Sequence, residues 1–139
     1  MRLKHFAFLA TLTLTASLLV GKAHAISVTD VDFRILPGIY QNPSQAVFSA
    51  GNDSVAAINA LYPGDSWSWL DGSDGPSNVF NGVTFVLTAD EDDTSGVWNL
   101  SWSGPGLPLY MDFVFVTKAG PSFGAYLFEG WNFTGASGD

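Results

Sequence analysis

Thirteen carboxylates and five tryptophans are the side chains of this 139-residue chain with the most chemistry to offer, and their spacing sets what they can do. Asp71, Asp74 and Asn78 fall in one turn-rich stretch, and Asp90-Glu91-Asp92-Asp93 crowd another. A hard cation such as Ca²⁺ takes several carboxylate and carbonyl oxygens from a flexible loop, so Asp71, Asp74, Asn78, Asp90, Asp92 and Asp93 are its candidate ligands. Neither stretch follows a full calcium-loop pattern. A solvated acidic turn is the favoured reading of both, with Ca²⁺ as the one cofactor that the residues suggest.

Trp67 and Trp69 flank Ser68 beside the polar 71–78 loop. An indole offers an apolar face to a sugar ring and an N–H to a hydroxyl, so this pair is the candidate carbohydrate platform. A core position is nonetheless the favoured reading of both. Trp98 and Trp102 share a face with Leu100, and for them the core reading is preferred. Glycoside hydrolysis needs two carboxyl groups across a bond, and Glu129 or Asp112 with an aspartate from another loop is the only such pairing that suggests itself. Nothing in the spacing marks that pair, and no catalytic residue is assigned.

The two histidines are His5 and His24, and there is no cysteine. Both histidines lie in what reads as an export leader: Arg2, Lys4 and His5 precede an apolar run over residues 6–20, and Ala23-His24-Ala25 supplies the small-x-small cleavage pattern. The run is short of the roughly 20 residues of a spanning helix. Residues 1–25 are therefore set aside as a signal peptide, and residues 26–139 are expected to form one domain in the periplasm, at the cell surface or outside the cell. Without His or Cys, that part has no Ser-His-Asp or Cys-His triad, and no usual zinc, haem or iron–sulfur ligand set. A disulfide framework is also excluded.

All thirteen acids but only Arg34 and Lys118 lie after residue 25, a formal charge of −11. Such a chain cannot neutralise a row of phosphates, which excludes nucleic acid and anionic lipid as partners. No stable membrane insertion of residues 26–139 is expected.

The elements that must carry these residues read as short strands. Residues 107–128 form the centre: Met111, Phe113 and Phe115 alternate with Tyr110, Val114 and Val116, so both faces need cover, as in a central strand. Ala119-Gly120-Pro121-Ser122 supplies a turn. The returning arm sets Phe123, Ala125 and Leu127 against Tyr126 and Phe128. Upstream, Val31, Phe33 and Ile35 alternate with Asp30, Asp32 and Arg34, suiting an edge strand broken by Pro37-Gly38. Ala46, Val47 and Phe48 give a weaker strand. Asn52 or Asp53 can cap a helix presenting Val55, Ile58 and Leu61, stopped by Pro63-Gly64. Val83, Phe85 and Leu87, and then Trp98, Leu100 and Trp102, alternate with polar neighbours. Six to eight strands at spacings of about ten residues predict an all-β, antiparallel, jelly-roll-like β-sandwich with one short helix around residues 54–61.

Gly51-Asn52-Asp53-Ser54, Gly96-Val97-Trp98-Asn99-Leu100-Ser101-Trp102 and above all Leu107-Pro108-Leu109-Tyr110-Met111-Asp112-Phe113-Val114, with Lys118 and Ala125-Tyr126-Leu127-Phe128, resemble exported bacterial proteins of the PEP-CTERM, exosortase-sorted type. The resemblance implies a non-catalytic component of the cell surface or extracellular matrix, associated with extracellular polysaccharide. The alternative is a carbohydrate-binding module using Trp67 and Trp69, and a carboxylate-dependent glycosidase ranks third. Members of that type usually continue into another Trp-containing strand, and often into a Pro-Glu-Pro segment, a hydrophobic helix and a basic tail. The resemblance thus implies such a strand and anchor beyond Asp139. Without that strand, a neighbour would present unpaired backbone groups and associate edge to edge.

Overall fold

The computed structural model describes residues 5–10, 26–36, 39–71, 79–89 and 98–135. In chain order their elements are β1 (His5–Ala10), β2 (Phe33–Leu36), β3 (Ile39–Gln41), β4 (Gln45–Ala50), α1 (Val55–Leu61), β5 (Trp67–Asp71), β6 (Val79–Phe80), β7 (Val83–Ala89), β8 (Trp98–Ser103), β9 (Leu109–Ala119) and β10 (Ser122–Phe133). The class is all-β with one short helix. The strands form a five-stranded sheet ordered β4-β10-β9-β1-β5, a three-stranded sheet β6-β7-β8 and a β2-β3 ribbon.

The two longest strands form the hairpin expected over residues 107–128. Ala119 pairs with Ser122 around Gly120-Pro121, and Gly120 has φ +57°. A positive φ followed by the fixed negative φ of proline has the signs of a type II′ turn, whose twist matches that of the strands. The alternation along β9 divides its residues between two apolar clusters. Met111, Phe113 and Phe115 join Phe33, Leu70, Val83, Phe85, Leu100 and Trp102 in the larger, which draws on all three sheets. Val114 and Val116 join Ile58, Tyr62, Trp67, Phe123, Ala125 and Leu127 in the second, beneath α1.

Helix α1 starts one residue later than expected. Ser54, not Asn52 or Asp53, is the cap, and its hydroxyl accepts from the Ala57 N–H at 3.1 Å. Asp53 instead pairs with Lys118 at 2.8 Å, its side chain only 3% exposed. A carboxylate that deep is held where its charge is matched, so this pair fixes the entry to α1 against the end of β9.

The strand around Phe33 has one partner, as an edge strand does: it pairs with β3 in a separate ribbon and delivers Phe33 to the larger cluster, 4.6 Å from Trp131 and 5.0 Å from Trp98 between ring centroids. Two further features depart from expectation. Strand β6 was not expected. It arises because Asn81 (φ +48°) and Gly82 (φ +76°) make the two-residue turn that Asn-Gly favours. The link Gly104-Pro105-Gly106 runs against that turn so closely that a Cβ on Gly104 or Gly106 would collide with the carbonyl of Gly82 or Asn81.

The largest departure is β1. Residues 5–10 belong to the stretch set aside as a leader, yet they lie inside the main sheet, parallel to both β9 and β5, in an otherwise antiparallel arrangement. Phe6, Ala7, Phe8 and Leu9 stand opposite Phe113, Val114, Phe115 and Val116. A strand between two buried neighbours must be apolar on both faces, and a leader's apolar run meets that requirement as well as any core strand does.

Phe113 is fully buried and stacks on Phe128 with centroids 4.7 Å apart. Phe113→Ala is expected to cost about 3 to 5 kcal/mol through lost transfer energy and the cavity left behind, measured by urea unfolding. A loss below about 1 kcal/mol would show that β9 is not the centre of the fold.

Candidate functional site

Each candidate residue is placed by an element whose own needs decide what the residue is free to do. Trp67 opens β5, and its ring is only 4% exposed. Its indole N–H donates to the Tyr62 carbonyl at 3.0 Å, and its backbone N–H donates to Asn59 Oδ1 at 3.0 Å. The Tyr62 hydroxyl in turn donates to the Ala125 carbonyl at 2.9 Å. Trp67 is thereby a post joining α1 to β5, with neither the free face nor the free N–H that a sugar platform needs. Trp69 is half-buried against the same cluster. The structure therefore removes Trp67 from the expected pair and leaves Trp69 alone.

Trp102 is a core residue, in agreement with the preferred reading, and Trp98 is half-buried against the same cluster. Trp98 stacks on Phe115 with centroids 4.1 Å apart, and Trp102 meets Phe133 edge-on at 5.1 Å. The Trp102 indole nitrogen is buried and has no hydrogen-bond partner among the described residues.

Asp112 and Glu129, the carboxylates considered for glycoside cleavage, meet at one irregularity. Phe128 pairs with Phe113 and Trp131 with Met111, so Glu129 and Gly130 together oppose Asp112 in a β-bulge. Gly130 takes φ +64° there, and its N–H donates to Asp112 Oδ1 at 2.5 Å. Asp112 thus holds a backbone N–H that the bulge diverts from the ladder, and Glu129 points to solvent. The arrangement explains the carboxylate through the strand pairing.

Of the expected Ca²⁺ ligands, Asp74, Asn78, Asp90, Asp92 and Asp93 lie outside the described residues, as do Glu91 and the side chain of Asp71. Among the described residues, no group of three or more carboxylates or histidines is placed to hold a metal ion.

Sequence reasoning did not single out the aromatic rings that stand out to solvent. Tyr40, Phe48 and Tyr110 are more than half exposed, Tyr110 most of all at 60%. Tyr110 lies opposite Asn132 in the β9–β10 ladder, two residues before Asp112. The apolar alternation groups Tyr110 with Val114 and Val116, but only the latter two lie in the cluster beneath α1. A phenol ring, an amide and a carboxylate therefore share the uncovered end of that face. The signal available in the sequence was Asn132, a polar residue exposed opposite an aromatic near the end of the hairpin.

Compared with protein-family models, with curated proteins and with solved structures, the chain matches none of them. Among the described residues, no helix is long and apolar enough to cross a membrane.

Two predictions follow from these environments. Burial, with a smaller contribution from Tyr126, holds the Tyr62 hydroxyl well above the ordinary phenol range; burial also raises Tyr126, reinforced by Asp30 and opposed by a hydrogen bond with Thr117. Because the folded state favours the neutral phenols, their contribution to stability is complete below the unfolded value near 10 and is lost as pH rises past it. Unfolding followed from about pH 8 to 11.5 should show stability falling above about pH 10. In Tyr62→Phe that fall should be shallower, with a loss of about 1 kcal/mol at neutral pH from the lost hydrogen bond to the Ala125 carbonyl. An unchanged alkaline slope would remove Tyr62 as its source. Millimolar Ca²⁺ should raise the melting temperature by at most a few degrees, by weak binding to the acidic stretches and by screening. If about 150 mM NaCl alone reproduces the whole rise, specific Ca²⁺ binding is excluded.

Proposed function

We propose that this chain is an exported, non-catalytic β-domain of the cell surface or extracellular matrix, associated with exopolysaccharide. The observation that carries the reading is the leader pattern: basic residues, the apolar run over residues 6–20 and Ala23-His24-Ala25. The resemblance to PEP-CTERM proteins and the −11 charge after residue 25 point the same way. The described carboxylates with assigned partners serve the architecture. Asp53 pairs with Lys118, Asp112 holds the bulge, and Asp30 accepts from the Ser27 N–H at 2.6 Å.

A second reading, carbohydrate binding, is favoured by the exposure of Tyr110 beside Asn132. An accessible ring flanked by amide and carboxylate is the chemistry by which sugars are held.

Residues 1–30 fused to a reporter enzyme that is active only outside the cytoplasm should give activity, and Ala25→Asp should leave the fusion at its unprocessed mass. A fusion retained in the cytoplasm would refute the export reading. Pull-down on extracellular polysaccharide separates the roles. Retention lost at least about tenfold in Tyr110→Ala, with the melting temperature unchanged, would support sugar binding at that face. Equal retention of Tyr110→Ala and Trp69→Ala would exclude both rings.

A further inference from the structure

Of the seven asparagines in the chain, only Asn81 is followed by glycine. The amide carbon of an asparagine side chain can be attacked by the backbone nitrogen of the next residue, and the other six are poorly set for that attack. Asn42 precedes Pro43, which has no N–H. Asn59, Asn99 and Asn132 lie within α1, β8 and β10, where the backbone is fixed in regular torsions. Asn52 and Asn78 precede Asp53 and Val79, whose side chains crowd the attacking nitrogen.

Asn81 differs at each of these points. Gly82 carries no side chain, both residues are exposed, and they form the tip of the β6–β7 hairpin, where Phe80 pairs with Val83. The Gly82 N–H donates to no described residue, so no acceptor among them holds its nitrogen back. Asn81 is also the only described non-glycine residue with a positive φ, a region that glycine alone adopts freely. The hairpin tip is seated on the link between β8 and β9. The Gly82 carbonyl accepts from the Gly106 N–H at 3.3 Å, and the Asn81 carbonyl lies so close to Gly106 that no Cβ fits there. Val83 beside it is fully buried, and Phe80 packs against the larger cluster.

We propose that Asn81 is a site of spontaneous covalent modification, at which Gly82 displaces the side-chain amide and the lengthened main chain that results releases β6 from its sheet. The Gly82 nitrogen bonds to Asn81 Cγ, the Cγ–Nδ2 bond breaks, and ammonia leaves with the proton that Gly82 gives up. Water then opens the cyclic imide. Cleavage between Cγ and the Gly82 nitrogen gives aspartate; cleavage between that nitrogen and the main-chain carbonyl carbon gives isoaspartate, whose main chain runs through Cβ and is one atom longer. In isoaspartate the former Asn81 carbonyl, the group packed on Gly106, becomes a free carboxylate and must move to water. A two-residue turn has no slack for the extra atom, because the Phe80 and Val83 pair fixes its ends. The reaction needs only water and proceeds with time, so the three-stranded sheet carries a mark of the age of the chain. The inference rests on neither the export reading nor the polysaccharide reading.

The purified full chain is held in mildly alkaline buffer and sampled over weeks. Ammonia should be released toward one equivalent per chain, and the peptide spanning residues 81 and 82 should accumulate isoaspartate, detected with an isoaspartate-specific methyltransferase and by fragmentation. Asp71-Gly72 and Asp74-Gly75 can isomerise too but release no ammonia, so the two readouts separate them. Asn81→Gly, which accepts the positive φ, should abolish the release. In the aged wild type, the amides joining Val79 and Phe80 to Val83 and Thr84 should exchange at least about tenfold faster than in fresh protein. Freshly prepared Asn81→Asp, which adds the charge without the extra atom, should exchange as fresh wild type does.

The proposal is overturned if Asn81→Gly releases ammonia as fast as the wild type, or if the aged chain carries isoaspartate at residue 81 with the exchange of its hairpin unchanged. It is equally overturned if fresh Asn81→Asp already exchanges as the aged chain does, because the charge and not the longer main chain would then open the sheet. Should Asn81→Gly fail to fold, the position of isoaspartate in the aged wild type still decides the site.

Discussion

A strand that is apolar on both faces cannot be satisfied by one layer of cover, and β9 imposes that condition on the rest of the molecule. Phe113 and Phe115 require a layer on one side, which the β6-β7-β8 sheet and Phe33 help to provide; Val114 and Val116 require another, which α1 helps to provide. Its two edges need hydrogen-bonding neighbours, since backbone groups buried without partners each cost of the order of 1 to 3 kcal/mol. Strand β10 fills one edge and β1 the other. The helix cap at Ser54, the Lys118–Asp53 pair and the Trp67–Tyr62 contacts can all be understood as fixing the second layer in place over β9.

That demand also accounts for what became of the residues with chemical potential. Rings were drawn into the clusters because an aromatic side chain brings more apolar area than any other, and contacts such as Phe113 on Phe128 and Trp98 on Phe115 follow from close packing of flat groups. Acids near the core survive only where a cation or a backbone N–H meets them, as at Asp53 and Asp112.

The parts of the fold legible in the sequence were those governed by a local period. The β9–β10 hairpin, β7, β8 and the helix over Val55, Ile58 and Leu61 follow from alternation or three-residue spacing with a turn signal at the end. Two local signals were present but under-read. Asn81-Gly82 marked a hairpin, and Ser54 was as good a cap as Asp53, which an ion pair with distant Lys118 drew away. Strand β1 was hidden for a different reason. A run of alternating and contiguous apolar residues satisfies a translocation signal and a doubly buried strand alike, and nothing local separates them. The site residues failed for want of tertiary information: burial of Trp67 and exposure of Tyr110 depend on where α1 lies, which periodicity does not state.

The bulge at Glu129 and Gly130 has a consequence for how the chain encodes its own interior. Before it, the even-numbered residues Tyr126 and Phe128 enter the larger cluster; after it, the odd-numbered Trp131 and Phe133 do. The extra residue works as a reading-frame shift in space, changing the parity by which position is translated into side. Were the ladder to run straight with both residues kept, Asn132 would be directed inward and both Trp131 and Phe133 outward; deleting Glu129 or Gly130 would instead straighten it with both rings still on the core side. The last quarter of the core is therefore specified by a count as much as by composition, since its rings face inward only because two residues share one position of the ladder.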